Sequence, residues 1–385
     1  MRTLRAEWQL RDDIIEKDYA LGWILAAIAA DEELGATWIF KGGTCLRKCY
    51  YETYRFSEDL DFTIVDGGPE EPEVLLPIFG RIGEWLLDQA GVELELDDRS
   101  FLRRVNLRSN PTTQGRIAFR GPSRPPGLPK VRIDLTSDEA VVLSPVTRKI
   151  YHSYSDAPLP VEGVRSYPIA ELLAEKLRAL AERCRPRDLY DVVHVYRHPD
   201  LIGRAAAVVS ALDQKCSHAG IPVPTVDTIR SSPFRSEIEQ EWQNMLGHQL
   251  PHLPPFSEFW DELDAVFAWM REERPAPVLP RAQFGDLDPG WAPPKWMASW
   301  RVGAPLELIR FAGANRLKVE LDYRAEKGRR GPRLVEPYSL RRTKDGKLVL
   351  FVVNDHGQLR SYRVDRIAGA RVTDAAFRPR YVVEF

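Results

Sequence analysis

The first part of the chain alternates between helical patterns and short apolar runs. Isoleucines and leucines recur at helical spacing over residues 10–34, and a second helix is indicated at 73–90. WIFKGG at 38–43 and LDFTIV at 60–65 have the length and composition of buried strands, and VELELD, RIAFR and VRIDLT alternate like strands. The pattern predicts a domain that mixes sheet and helices, of class α/β or α+β, over residues 1–165.

The pattern then becomes helical and, near the end, strand-rich. IAELLAEKLRALAERC places leucines along one helix face, and further helices are indicated at 200–217 and 235–272. We therefore predict a helical region over residues 166–272. Six prolines within the next 22 residues mark a linker over 273–306, and residues 307–385 have the character of strands.

Composition indicates an ordinary folded protein with an uneven charge distribution. Formal net charge is −2, yet residues 301–385 carry 19 Lys+Arg against 10 Asp+Glu, a net of +9, which leaves −11 for the rest. A basic module favours an anionic partner such as nucleic acid, although small basic domains are also common without one. The four cysteines form no CxxC pair, and the N-terminal segment lacks an apolar signal core. We expect a cytoplasmic protein without a membrane segment.

Two aspartates lie at the start of the strand predicted at 60–65, one directly before it and one within it. RFSEDLD places Asp59 and Asp61 two residues apart, so in an extended chain both side chains point to the same face. Like charges on one face repel each other unless a cation lies between them. Mg²⁺ fits, because it prefers carboxylate oxygens and keeps positions open for phosphates. Asp134, on the strand VRIDLT, is the candidate third ligand.

A double glycine precedes the carboxylates. Gly42 and Gly43 follow a predicted strand, and Thr44 opens a short helix, an arrangement that lets backbone N–H groups approach a phosphate. The segment lacks the GxxxxGK[ST] spacing of a Walker loop. A double glycine is often only a turn, and a DxD pair occurs by chance. The order of glycines, helix and carboxylates is, however, typical of nucleotidyl transfer with two metal ions.

A second charged cluster is EKLRALAERCRPRDLYD. Lys176, Arg183 and Arg187 share a face if one helix continues through them, although the intervening proline is expected to break it. Such cations can bind phosphates. The alternative is a solvated basic face in which Asp188 and Asp191 pair with the arginines. Asp191 is also a candidate orienting acid or base.

These segments together resemble a known family. FKGGTCLRKCYYETYRFSEDLDFTI resembles the first motif of the AbiEii-like nucleotidyltransferase toxins, which are related to the MenT toxins. IEKDYALGWIL, VRIDL and EKLRALAERCRPRDLYD resemble the segment before that motif, the third-acid strand and the later RDxxD motif. The resemblance covers about residues 10–200, and it continues more loosely to 272.

The resemblance implies an α+β protein with a DNA-polymerase-β-like nucleotidyltransferase domain and a helical region. It also implies Mg²⁺-dependent transfer of NMP from an NTP substrate. Asp59 and Asp61 would bind the metal, Asp191 would be essential to catalysis, and Arg55 fits the motif without an assigned role. The residues implied to surround the triphosphate are Gly42, Gly43, Thr44, Ser57 and Lys176.

Members of this family act as toxins in toxin–antitoxin or phage-defence pairs, and several modify tRNA 3′ ends. We therefore expect an RNA acceptor, most simply the 3′ end of a tRNA, and an antitoxin protein as a partner. Two alternatives stay open. One is NMP transfer to a protein or a small molecule, and the other is a non-catalytic regulator that senses NTP and binds nucleic acid.

The segment 307–385 resembles a WYL domain through VELDY, RLVEPYSL and LRSYRVDRI, with LVL in place of the W-Y-L tripeptide. The resemblance implies a regulatory domain that binds nucleic acid or a nucleotide-like ligand through Arg360, Arg363 and Arg366. On one continuous strand Arg363 would point away from the other two, so a common pocket requires a bend. The alternative is a dimerisation or packing module.

Overall fold

The computed structural model describes residues 11–51, 54–105, 109–122, 127–156, 159–273, 279–283, 285–291, 304–325 and 331–385. Two compact units divide these residues. The first unit contains the described residues of 11–241 and 262–273, and the second contains those of 242–261 and 279–385. The linker predicted at 273–306 lies mostly outside the described residues.

A mixed sheet organises the first unit. Its strands are β1 Trp38–Lys41, β2 Asp59–Ile64, β3 Glu93–Glu95, β4 Phe101–Val105, β5 Pro111–Arg120, β6 Lys130–Thr136, β7 Val146–Arg148 and β8 Val164–Ser166. They are ordered β3-β5-β6-β2-β1-β8-β7, and β4 pairs with β5. β2 is antiparallel to β1 and parallel to β6, so the strand with the two carboxylates lies near the middle of the sheet.

The two faces of this sheet differ in polarity. Buried Leu60, Phe62 and Ile133 lie on one face, and the helix Pro72–Ala90 packs there through a Phe79–Phe101 ring contact of 4.8 Å. The other face, here called the polar face, carries the alternate residues of β2, β6 and β5. The polar face therefore presents all three candidate metal ligands, Asp59, Asp61 and Asp134.

Helices account for the rest of the chain up to residue 270. They are α1 Asp12–Ala30, α2 Glu32–Thr37, α3 Gly42–Cys45, which continues as a π-helical turn Leu46–Tyr50, α4 Pro72–Ala90, α5 Ile169–Arg183, α6 Pro186–Tyr196, α7 Ala205–Ala219, α8 Val226–Arg230, α9 Arg235–Gln240, α10 Trp242–Leu246 and α11 Phe256–Met270. α1 carries its charged residues in the first two turns, and it is apolar and buried from Tyr19 to Ile28, as a core helix requires. The helix predicted at 235–272 is three helices, and prolines 251, 254 and 255 separate the last two. Across the described residues, the search for a helix long and apolar enough to cross a bilayer finds none.

The second unit contains a five-stranded antiparallel sheet. Its strands are β9 Leu317–Tyr323, β10 Gly331–Arg342, β11 Leu348–Asn354, β12 Leu359–Arg363 and β13 Ile367–Ala376, ordered β12-β11-β10-β9-β13. Helix α12, Leu306–Ala314, precedes them. The prediction of a strand-rich segment is therefore confirmed over residues 317–376, and α12 is an element that it missed.

Candidate active site

The double glycine makes room for functional side chains at the end of β1. Gly42 has a φ of +78°, and a Cβ atom there would lie 2.2 Å from Oδ2 of Asp61. A Cβ at Gly43 would lie 2.4 Å from Nη2 of Arg55. Both distances are too short for any side chain, and the positive φ itself favours glycine. The glycines therefore permit the close approach of a carboxylate and a guanidinium to the junction of β1 and α3, here called the glycine turn.

The carboxylates of Asp59 and Asp61 share the polar face, as predicted, and Asp61 has charged neighbours on both sides. In the strand register Asp61 lies beside Lys41 of β1 and beside Asp134 of β6. Burial, followed by the charges of Asp134 and Asp59, raises the pKa of Asp61 to about 7. Burial also raises the pKa of Asp59, and Arg132 opposes that rise. A bound cation would relieve this repulsion.

Asp134 is engaged by two side chains. Nε of Arg132 lies 2.9 Å from Oδ2 of Asp134, and Nε2 of Gln114 donates to Oδ1 at 2.9 Å. In the part of the chain that the structure describes, no group of three or more His, Cys, Asp or Glu side chains is arranged to hold a metal ion. Asp59 and Asp61 fit a divalent cation as a pair, and the role of Asp134 as third ligand stays a prediction.

Asp191 is the centre of a buried ion cluster. Arg55 donates through Nε and Nη2 to the two oxygens of Asp191, each at 2.7 Å, and Nζ of Lys176 lies 2.9 Å from Oδ2. The hydroxyl of Tyr54 donates to Oδ1 at 2.6 Å. Burial alone would raise the pKa of Asp191, but Arg55 and Lys176 outweigh it and hold that pKa well below its usual range. Such a carboxylate is a poor proton acceptor, which favours an orienting role over that of a base.

Lys176 stays cationic in spite of its burial. Burial would lower its pKa, but Asp191 and Asp188 raise it above the ordinary value for lysine. The ammonium lies 3.7 Å from Oδ1 of Asp188 as well as 2.9 Å from Asp191. The two aspartates therefore keep a fixed positive charge at the position where the resemblance predicts a triphosphate contact.

The helix that carries Lys176 ends before the third predicted cation. α5 ends at Arg183, Cys184 has a φ of +46°, and Pro186 begins α6. Arg187 is thus on a different helix, because proline cannot continue α5. Asp188 accepts two hydrogen bonds from Arg183, at 2.7 and 2.8 Å. The alternative pairing of the aspartates with arginines is therefore present for Asp188, whereas Asp191 is held by Arg55 and Lys176.

The two remaining candidates for phosphate binding differ in their surroundings. Thr44 is buried, and its hydroxyl donates to the backbone carbonyl of Asp59, which ties α3 to β2. Ser57 is half-buried, and its Oγ would lie 3.1 Å from a Cβ built on Gly43. Both residues adjoin the glycine turn, and their contact with phosphate stays a prediction.

Sequence reasoning missed several partners. Arg55 had no assigned role and is the bidentate partner of Asp191, and Tyr54 was not considered. Lys41, at the end of β1, pairs with Glu139, which also lies 3.1 Å from Nη2 of Arg178. A lysine at the end of the apolar run WIFK was a visible signal for a buried pair, but its partner lies 98 residues away along the chain.

The three arginines of the second unit lie on a strand and the turn after it. β12 ends at Arg363, and Val364–Arg366 form a 3₁₀ turn, which supplies the bend that a common pocket requires. Arg360 is exposed, whereas Arg366 is half-buried. Arg363 donates to Asp365 through Nε at 3.0 Å and Nη2 at 2.5 Å. Their role in ligand binding stays a prediction.

A mixed sheet with paired carboxylates beside a glycine turn is the arrangement of a nucleotidyltransferase. Comparison with protein families assigns residues 23–268 to the model described as nucleotidyl transferase AbiEii toxin, type IV toxin–antitoxin system. Residues 305–372 match the WYL domain model. The chain belongs to the AbiEii nucleotidyltransferase toxin family and carries a WYL domain. The predicted family and the predicted α+β class are both confirmed.

Two solved structures show weaker likeness. MenT4, a nucleotidyltransferase toxin from Mycobacterium tuberculosis, is 18% identical, with a TM-score of 0.48 over 68% of this chain and 84% of that chain. The proteasome accessory factor B/C (PafBC) of Arthrobacter aurescens is 11% identical, with a TM-score of 0.19 over 94% of this chain and 71% of that chain. The search of curated proteins finds no match.

Proposed function

We propose that this protein transfers NMP from an NTP to the 3′ end of an RNA, with tRNA as the acceptor, in a Mg²⁺-dependent reaction. The observation that carries the proposal is the repelling pair Asp59 and Asp61 beside the turn at Gly42 and Gly43. A half-buried pair of like charges is costly for the fold unless the site holds a cation. Placing such a pair beside a backbone turn free of side chains suits a metal-bound triphosphate.

The reaction is a displacement at phosphorus. The acceptor hydroxyl oxygen forms a bond to the α-phosphorus, the bond to the bridging oxygen breaks, pyrophosphate leaves, and the hydroxyl proton passes to solvent. Asp59 and Asp61, with Asp134 as a third candidate, would hold Mg²⁺, which supplies charge neutralisation and activation of the attacking oxygen when bound.

The chain's own residues bind and orient the triphosphate. Lys176 supports this role because two buried aspartates keep it protonated. Asp191 fixes the position of Lys176, and Arg55 in turn fixes Asp191. The residues proposed to contact the phosphates are Gly42, Gly43, Thr44, Ser57 and Lys176.

The family assignment supports the proposed biological role. The matched model describes toxins of type IV toxin–antitoxin systems. We therefore propose a cytoplasmic toxin with an antitoxin partner, acting in a toxin–antitoxin or phage-defence pair. The WYL domain would bind nucleic acid or a nucleotide-like ligand and regulate the transfer.

The test is a transfer assay with the full-length protein. The protein is incubated with Mg²⁺, each α-³²P-labelled NTP in turn and total bacterial RNA. Asp59→Asn removes one negative charge of the pair, and the asparagine side chain has nearly the same size as the aspartate that it replaces. Asp66→Asn is the matched control, because Asp66 is exposed just beyond the other end of β2 and asparagine tolerates its φ of +53°. We expect a labelled band of tRNA size with the wild type and with Asp66→Asn, and none with Asp59→Asn.

Other outcomes would favour the alternatives. Label on protein or on a small molecule would replace the RNA acceptor. NTP binding with no pyrophosphate release from any acceptor would indicate a sensor that performs no chemistry. Equal transfer by the Asp59→Asn protein would remove the carboxylate pair from the mechanism.

A further inference from the structure

Two arginines lie beside the carboxylate pair on the polar face. In the strand register Asp59 of β2 is opposite Arg132 of β6, and Arg132 is opposite Arg116 of β5. Neighbouring strands are about 4.8 Å apart, so the two arginines arise about 5 and 10 Å from Asp59. Register partners point to the same face. Arg132 and Arg116, here called the arginine row, therefore continue the polar face outward from the proposed metal site.

The arginine row is accessible. The side chain of Arg132 is 45% exposed, and its Nε bonds to Asp134, which orients the guanidinium. Arg116 is exposed, and no carboxylate among the described residues forms an ion pair with it. Arg120 provides the contrast. It lies on the same strand and face as Arg116, but it is paired with Glu95 at 2.9 Å and with Glu93 at 3.8 Å.

The arginine row is on the opposite side of Asp61 from the glycine turn. β1 and the glycine turn that follows it adjoin Asp61 on one side, and β6 followed by β5 adjoins it on the other. Lys130, also exposed, is opposite Ala118 and adds a third cation to the face beyond the arginine row. The carboxylate pair thus lies between two regions suited to anions, and the proposed function assigns NTP to the one at the glycine turn.

We propose that the arginine row binds the phosphates of the 3′-terminal segment of an RNA acceptor and so brings its terminal hydroxyl to the carboxylate pair. This inference rests on the proposed function and specifies how the acceptor is held. Guanidinium groups bind phosphates through paired, charge-assisted hydrogen bonds. Contacts to the backbone position a nucleic acid without reading its sequence. The arginine row therefore sets affinity for the acceptor and leaves the choice of NTP to the other side of the site.

The experiment compares Arg116→Gln, Arg116→Lys and Arg120→Gln with the wild type in the full-length protein. Initial rates are measured with Mg²⁺ and labelled NTP while purified tRNA is varied, and then while NTP is varied. We expect Arg116→Gln to raise KM for tRNA about tenfold and to leave KM for NTP unchanged. The slope of log KM against log salt should fall by about 0.7, as for one lost phosphate contact on a single strand. Arg116→Lys should restore part of the affinity, and Arg120→Gln should match the wild type.

The outcomes separate this inference from the proposed function. RNA labelling with equal KM for tRNA in the Arg116→Gln and Arg120→Gln proteins would overturn the inference and leave the function standing. If the wild type labels no RNA, the proposed function fails, and tRNA binding is measured directly by fluorescence anisotropy. Weaker binding by Arg116→Gln alone would support the arginine row as an RNA-binding surface, and equal binding by both variants would overturn it. If label appears on protein and this labelling requires Arg116, RNA binding by the arginine row is overturned, and the arginine row would bind an acidic peptide instead.

Discussion

At the residue scale, Gly42 shows how a missing side chain shapes the site. We predict that Gly42→Ala abolishes nucleotidyl transfer, because the added Cβ would lie 2.2 Å from Oδ2 of Asp61 and must displace that carboxylate. The left-handed φ adds a conformational cost of about 1 kcal/mol. The measurement is initial rate together with the melting temperature.

A second glycine separates conformational strain from the clash. Gly67 has a φ of +70°, and a Cβ there would meet nothing within 4 Å. Gly67→Ala should therefore show the strain alone, with a small loss of stability and full activity. Equal activity of the Gly42→Ala and Gly67→Ala proteins would show that the position of Asp61 is not fixed by the glycine turn.

Asp61 is expected to weaken the fold in the absence of metal. Replacing Asp61 by asparagine removes one of several neighbouring negative charges from a half-buried site. We predict that Asp61→Asn raises the stability of the metal-free protein at pH 8 by about 1–3 kcal/mol while it abolishes transfer. The measurement is thermal unfolding after treatment with a chelator, with Asp66→Asn as the control.

Addition of Mg²⁺ supplies the complementary result. A cation that binds the folded state raises the melting temperature by mass action. The wild type should gain stability from Mg²⁺, and the Asp61→Asn protein should gain little. An equal gain by both proteins would place the metal elsewhere.

The sequence reveals the candidate ligands of this site better than the residues that support them. The spacing of Asp59 and Asp61 is local, and the two-residue period of a strand is enough to predict their shared face. The support of Asp191 is not local, because Arg55 lies 136 residues from it along the chain. A single sequence gives residue types and local spacing, whereas a buried partner is chosen by the packing of distant elements.

At the element scale, the ion cluster joins three separate parts of the chain. Lys176 belongs to α5, Asp191 to α6, and Arg55 to the segment before β2. We predict that Asp191→Asn destabilises the protein by about 3–5 kcal/mol, because buried Arg55 loses its bidentate partner and buried Lys176 loses the nearer of its two carboxylates. Urea unfolding measures this loss. Asp213→Asn, an exposed change on α7, should stay within about 0.5 kcal/mol of the wild type.

Helix boundaries are predictable where the sequence contains a clear local signal, such as a proline or a long run of apolar residues at helical spacing. Pro186 predicted the break between α5 and α6, and the helical spacing of isoleucines and leucines over residues 10–34 predicted α1. The helix α12 was missed because its nine residues, LELIRFAGA, are few and precede a strand-rich segment. β4 and the short β7 and β8 were also missed. β4 is defined by its pairing with β5, β8 by its pairing with β1, and β7 by its pairing with β8, more than by their own composition.

At the scale of the whole molecule, buried carboxylates make the first unit sensitive to acid. Burial would raise the pKa of Glu139, but Lys41, Lys215 and Arg178 outweigh it and hold that pKa at about 2. Asp18, held by Arg47 and Lys48, and Asp191 are likewise kept below their usual range. A lowered folded-state pKa contributes stability above the unfolded value, and that stability is lost as pH falls. We therefore predict that stability declines from about pH 4.5 downward.

The test of this acid sensitivity is urea unfolding at a series of pH values. Asp61 has the opposite effect, because its pKa is raised to about 7 in the folded state. It contributes stability at about pH 4, where it is protonated, and that contribution is lost as pH rises to about 7. The Asp61→Asn protein should therefore show the acid decline without the opposing slope. If the free energy of unfolding of the Asp61→Asn protein does not change between pH 5 and pH 3, the buried ion pairs do not contribute the predicted stability.

The uneven charge of the chain leads to a prediction for the second unit. Changing Arg360, Arg363 and Arg366 together to glutamine reduces the net charge of residues 301–385 from +9 to +6. If these arginines contact phosphates, nucleic-acid binding should weaken and its salt dependence should become shallower by about 2, since each lost contact on a single strand contributes about 0.7. Arg363 is already paired with Asp365 and should contribute least. Binding is measured by anisotropy over a salt series, with Arg371→Gln as a control because Arg371 is paired with Glu320 in the same unit. If the salt dependence of binding is unchanged in the triple variant, the anion site lies at other residues. If the salt dependence changes while KM for tRNA does not, nucleic-acid sensing and acceptor binding belong to different surfaces of the protein.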